Sequence, residues 1–99
     1  MERLSIDSYV IDVLMPDLVG HDRRPATFVV YLFLIRQAAK ARRDTVSVSL
    51  QTIAAKTGLS KSTVQTALRH LRRRQLIDPS IAPTVNAPVR RVMRPWMRG

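Results

Sequence analysis

The apolar positions in the first forty residues fall at helical spacing. Ile6, Tyr9, Val10, Val13 and Leu14 recur at intervals of three and four, which predicts a short amphipathic helix over 7–14. Pro16 is expected to end or kink it, because proline has no N–H to donate and its ring clashes with the preceding turn. Leu18 and Val19 can continue a last turn before a Gly20-His21-Asp22 loop. Pro25 suits the first turn of a second helix, predicted to run to about Ala41. Phe28, Tyr31, Leu32, Ile35 and Ala39 form one stripe of that helix, while Val29, Val30, Phe33 and Leu34 fill its other faces. A helix apolar all round must be covered all round. The cover is expected from the first helix or from a second copy of the chain, so residues 1–43 are the candidate interface of a homodimer.

The period then changes. Thr45-Val46-Ser47-Val48 alternates polar and apolar, as a short strand does. Ser49 can cap a following helix in which Leu50, Ile53, Ala54 and Thr57 share a face. Gly58 stands just past its end, where the left-handed conformation is cheap only for glycine. Leu59 is expected as a buried plug. Ser60 can cap a third helix, with Val64, Ala67, Leu68 and Leu71 as its inner stripe up to about Arg74. Leu76 and Ile77 return to the core. Asp78-Pro79 and Pro83 break the chain, Asn86-Ala87-Pro88 reads as a turn, and Val89 to Met93 reads as a returning strand ended by Pro95. Trp96 is expected to fold back on the core or across the dimer.

The stretch SLQTIAAKTGLSKSTVQTALRHL, residues 49–71, joins two short helices by a glycine turn. Ala54 lies four residues before Gly58 and Val64 six after it. Two helices that cross steeply tolerate only a small side chain where they touch, and the turn needs a positive backbone angle. Val64 then packs the second helix on the first and leaves its N-terminal turn protruding. This stretch resembles the helix-turn-helix of bacterial DNA-binding proteins. With LRRRQLI and the turn-centred strand pair behind it, residues 45–96 look like the winged variant, as in MarR-like and GntR-like regulator domains and plasmid replication initiators. The resemblance implies a mainly α fold with a small β-wing, a winged helix-turn-helix preceded by two N-terminal helices. It divides residues 1–99, taken as one domain, into N-terminal helices (1–43), a helix-turn-helix core (45–77) and a wing (78–96). The wing departs from the usual pattern in carrying Pro79, Pro83 and Pro88 and no glycine.

Charge sharpens this picture. The 99 residues carry a formal charge of +10, distributed as −2 over residues 1–35 and +12 over residues 36–99. A basic lobe this strong implies a polyanionic partner, most often nucleic acid, and the resemblance implies that it is double-stranded DNA. The reading element is then the helix over 60–74, inserted into the major groove. Its outer face presents Lys61, Ser62, Gln65, Thr66 and Arg69. Gln65 is suited to adenine and Arg69 to guanine or a phosphate, while Ser62 and Thr66 can serve either a base or a phosphate. Ser60, Lys61 and Thr63 sit at the helix start, where free N–H groups favour a phosphate. Arg72, Arg73 and Arg74 at the far end satisfy the last carbonyls or touch the DNA backbone, and Arg73 is taken as a contact. On the wing, Asn86 is the minor-groove candidate. Arg90 and Arg91 are strand candidates, although alternation puts Arg90 and Arg94 on one face and Arg91 on the other.

Other chemistries find little support. There are no cysteines, which excludes disulfides, thiolate metal sites and thiol catalysis. Asp17, His21 and Asp22 are expected as a capping loop rather than a metal site. His70, inside the basic helix, is expected to meet phosphate or solvent. No serine, histidine and acid arrangement and no glycine-rich phosphate loop occur, so no enzyme activity and no cofactor are expected. No signal peptide is expected from Met1-Glu2-Arg3, the longest apolar run is far too short to span a bilayer, and a cytoplasmic, nucleoid-associated protein is expected. Two other roles fit the same pattern: an accessory protein of plasmid replication or partition, and a winged-helix module that binds protein or RNA. The primary expectation is a small sequence-specific transcriptional regulator.

Overall fold

The computed structural model describes residues 1–97. Its elements are two π-wound segments, Val10–Leu14 and Pro16–His21, then α1 (Pro25–Ala41), β1 (Thr45–Ser47), α2 (Leu50–Thr57), α3 (Lys61–Arg73) and β2 (Val89–Arg91).

The N-terminal segment differs from expectation. Pro16 does not stop the helix; the helix widens around it. The Met15 N–H donates to Val10 O, and the Asp22 N–H donates to Asp17 O at 2.8 Å, each five residues back. A wider turn carries the facing carbonyl away from the proline ring, which relieves the clash that breaks an α-helix. It also narrows the buried face. Val10, Leu14 and Leu18, spaced by four, lie in the core, whereas Val13 and Ile6 stand exposed.

In α1 the buried set is Thr27, Phe28, Val30, Tyr31, Leu34, Ile35 and Ala38. Leu32 and Phe33 are half-buried, while Val29 and Ala39 are exposed. The apolar faces of α1 are therefore largely covered within the chain, by the π-wound segment, α3, α2 and β1. Tyr31 is fully buried, and its hydroxyl donates to Met93 O at 2.7 Å, which binds α1 to the C-terminal strand. Burial pushes this phenol well above its ordinary range. Trp96 closes the chain on itself: its ring stacks on Tyr9 at 4.6 Å between centroids, and its Nε1–H donates to Asp7.

The helix-turn-helix forms by local rules. Ser49 accepts from the Thr52 N–H at 3.1 Å and Ser60 from the Thr63 N–H at 3.1 Å, each satisfying a donor the helix start leaves free. Gly58 adopts φ 81° and its N–H closes α2 on Ala54 O at 2.9 Å. A Cβ added to Gly58 would meet nothing within 4 Å, so substitution costs backbone strain alone. Gly58→Ala is expected to destabilise by about 1 kcal/mol, and thermal melting should drop by roughly 4–8 °C. Gly58→Asn should fall between, because asparagine tolerates the left-handed region better.

β1 and β2 pair antiparallel with Val46 opposite Arg90. The return strand also pairs on its other edge, where Ile77 faces Val92, the Met93 N–H donates to Leu76 O and the Asp78 N–H to Arg91 O, each at 2.9 Å. The wing is the excursion between Asp78 and Pro88. Thr84 and Ala87 exchange both backbone hydrogen bonds at 3.0 and 3.2 Å, so Val85 and Asn86 form its tip.

Candidate nucleic-acid interface

The outer face of α3 is built by what the inner face buries. Val64, Ala67, Leu68 and Leu71 lie in the core, which leaves Lys61, Ser62, Gln65, Thr66, Arg69 and Arg73 exposed on the opposite side. Among the described residues, Lys61, Gln65, Thr66, Arg69 and Arg73 make no side-chain hydrogen bond or ion pair. Ser60 and Thr63 are spent locally: the Ser60 hydroxyl, besides capping, meets Thr63 Oγ1 at 2.9 Å and Ser62 Oγ at 3.2 Å. They hold the front of α3 rather than reach outward.

The electrostatics follow from where the acids stand. Residues 45–77 contain no aspartate or glutamate and six lysines and arginines. The acids elsewhere neutralise basic side chains away from the α3 face: Glu2 pairs with Arg36, Asp17 and Asp22 with Arg74, and Asp44 and Asp78 with Arg91.

Several residues behave differently from expectation. Arg90 is turned inward, 9 % exposed, and donates to Val48 O at 3.0 Å. Strand alternation drives it under the wing, so it cannot serve as a surface contact. Burial lowers its pKa, with the Arg72 charge adding to the effect. Arg91, on the other face, is held by Asp78 at 3.3 Å and Asp44 at 3.7 Å, so its charge is compensated. Hydrogen bonds from Ser80 lead in holding the Asp78 carboxyl below the usual range, and Arg91 adds to them. Asn86 stands exposed at the wing tip. Arg72 donates to Pro79 O at 2.8 Å, anchoring the start of the wing.

His70 meets neither phosphate nor solvent. It is buried, with Nδ1 2.9 Å from Thr27 Oγ1 and Nε2 2.9 Å from Asp22 Oδ2. The Arg74 side chain completes the network by gripping Asp22 at 3.1 Å and Asp17, rather than meeting the last carbonyls of the helix. A hydrogen bond with His21 leads in holding the Asp22 carboxyl below its usual range; burial opposes this, and Arg74 and His70 add to the lowering. Asp17, His21 and Asp22 have ligand atoms within 4.8 Å of one another. The Arg74 guanidinium already supplies the positive charge these carboxylates need, so the donor set does not fit a cation.

Sequence reasoning missed Arg23 and Arg24. Both are exposed and, with Ser62 and Thr66, line a groove of about 310 Å3 beside the front half of α3. The net negative charge of residues 1–35 hid them; the sign that could have found them is an arginine pair immediately before the helix-starting Pro25.

A projecting helix held by a left-handed glycine turn, with a strand pair and an extended loop behind it, defines a winged helix-turn-helix protein. The chain belongs to the family of the helix-turn-helix domain, whose model matches residues 24–77, and that family is one of DNA-binding domains. No curated protein and no solved structure matches it. Among the described residues, no helix is long and apolar enough to cross a membrane.

Proposed function

We propose that the protein is a small sequence-specific regulator of transcription that lays α3 in the major groove of duplex DNA. The observation that carries this is the exposed, unpaired row Lys61, Gln65, Thr66, Arg69 and Arg73 on a helix whose opposite face is entirely core. Gln65 and Arg69 lie four apart and so share one face; their side chains suit adenine and guanine edges. Ser62 and Thr66 add hydroxyls beside them. Arg23, Arg24, Lys61 and Arg73 flank this row and suit phosphates, and Asn86 at the wing tip suits the adjacent minor groove. Arg90 has no place in this set, and Arg91 at most a minor one. The protein acts as a pair through its N-terminal elements, on which Ile11, Val13, Val19 and Val29 stand exposed. Such a pair would read two half-sites about one helical turn apart.

The test is selection of bound duplexes from a randomised pool, followed by fluorescence anisotropy on the enriched sequence across a range of salt. An enriched motif with two related half-sites is expected. Log affinity should fall with log salt at a slope of about −4 per protomer, from four phosphate contacts at about −0.9 each. A pool that yields no motif, or a slope near zero, would sink the reading.

A further inference from the structure

Between α3 and the wing lies a cavity of about 270 Å3. Its floor is apolar, with Leu68 and Ile77 from the core and Pro83 from the wing. Its lining is cationic, with Arg69 and Arg72 from successive turns of α3 and the inward-turned Arg90 of β2, whose Nη1 also donates to Val48 O. No carboxylate lines it. Among the described residues none of these three arginines has an acidic partner, whereas Arg36, Arg74 and Arg91 each face one. Guanidinium groups stay charged under all ordinary conditions; Arg72 and Arg90 each donate to a carbonyl, of Pro79 and Val48, which leaves three charges around one hollow with a positive potential that an added anion would relieve.

We propose that this cavity binds a small organic anion: a carboxylate or phosphate head held among Arg69, Arg72 and Arg90, and an apolar body resting on Leu68, Ile77 and Pro83. The volume sits near the lower end of ligand pockets, about 300–1,000 Å3, so the occupant is about the size of one substituted ring. A DNA phosphate has the same head chemistry. It gains nothing from an apolar floor, and the floor favours the free ligand. Gln65 also lines the cavity. On the reading given under Proposed function, Gln65 and Arg69 are the base readers, so occupant and duplex exclude one another. The site itself does not depend on that reading.

The test uses phenyl phosphate as probe, with inorganic phosphate as the head alone, on the full chain at constant ionic strength. NMR would follow the arginine Nε–H signals and the Leu68 and Ile77 methyls. Saturable shifts confined to Arg69, Arg72, Arg90 and those methyls are expected. Phenyl phosphate should bind at least about tenfold more tightly than phosphate, because its ring is buried. Arg72→Gln should weaken the probe about tenfold. Pro83→Glu, which puts a carboxylate at the floor without touching α3, should do the same if the first variant folds poorly. Equal binding of the two anions, with shifts spread over every exposed arginine, would overturn the proposal. Shifts that appear only when duplex is added would assign the cavity to a DNA phosphate and overturn it too. Apparent duplex affinity should weaken steadily as probe is added. If the probe binds at the cavity and duplex affinity is unmoved, the ligand site stands and the placement of Gln65 and Arg69 against DNA fails.

Discussion

Asp22→Ala is expected to melt roughly 10–20 °C below the parent protein at neutral pH, a loss of about 2–3 kcal/mol. Asp22 joins three parts of the chain. It accepts from His70 Nε2 on α3 at 2.9 Å and from Arg74 at 3.1 Å, and it stands at the entry to α1, whose Thr27 holds the other nitrogen of His70 at 2.9 Å. Removing the carboxylate leaves a buried imidazole without one partner and a guanidinium without one of its two. Arg74 is about one-third exposed, so solvent recovers part of its share, and the expected loss is set below the full cost of breaking a buried pair. Asp17→Ala should cost less, because Asp17 is itself one-third exposed and holds only the outer end of the network. The pH dependence has a definite sign. The folded pKa of Asp22 lies below its ordinary 3.8, so its contribution is complete above that value and is lost as pH falls through the folded one. The gap between the parent and Asp22→Ala should therefore hold from pH 7 to about 5 and close in stronger acid. Circular dichroism melts at several pH values measure it. Equal melting at neutral pH would show that the network orders side chains without holding α3 in place.

The contrast between this network and the helix-turn-helix shows what the sequence could reveal. Ser49, Gly58 and Ser60 act on backbone groups within four residues of themselves, so spacing alone identifies them. The stripe of Val64, Ala67, Leu68 and Leu71 is legible for the same reason, since one period governs the whole helix. His70 and Arg74 meet partners 43 to 57 residues away. A histidine among arginines looks solvated until the fold brings Thr27 and Asp22 against it. Arg90 and Arg91 show a middle case. Strand alternation separates their faces, but only the sheet register decides that Arg90 goes inward to Val48 O and Arg91 outward to Asp44 and Asp78. The N-terminal segment is legible in part: α-helical spacing picks out Val10 and Leu14, which are buried, but adds Ile6 and Val13, which a turn widened around Pro16 leaves exposed while it buries Leu18. Of the two covers that the two-sided apolarity of α1 calls for, the first helix supplies one within the chain, and how much of α1 it covers depends on the widened turn, which periodicity does not reveal.

The largest functional effect is expected from Gln65→Ala combined with Arg69→Ala. On a duplex carrying the selected motif, affinity should fall roughly 100-fold at fixed salt, while affinity for a scrambled duplex falls only a few-fold. A bidentate contact to a base edge is worth about 1–3 kcal/mol of discrimination, and two such contacts acting together reach that loss even at modest values. The scrambled duplex feels only the removal of one positive charge, at Arg69. Folding should be untouched, because both side chains are exposed, make no side-chain hydrogen bond or ion pair among the described residues, and give way to the strongest helix former. Arg73→Ala is the complementary variant. It should weaken both duplexes alike and reduce the salt slope by about 0.9, as a phosphate contact must. Position and chemistry separate the two variants: Gln65 lies in the front half of α3, the half proposed to enter the groove, with Arg69 one turn behind it, and Arg73 ends the helix, where the proposed docking brings the DNA backbone. If the double variant weakened both duplexes equally and kept the preference, α3 would be an electrostatic anchor. Sequence would then have to be read elsewhere, with Asn86 at the wing tip and the Arg23-Arg24 pair as the groups left to read it.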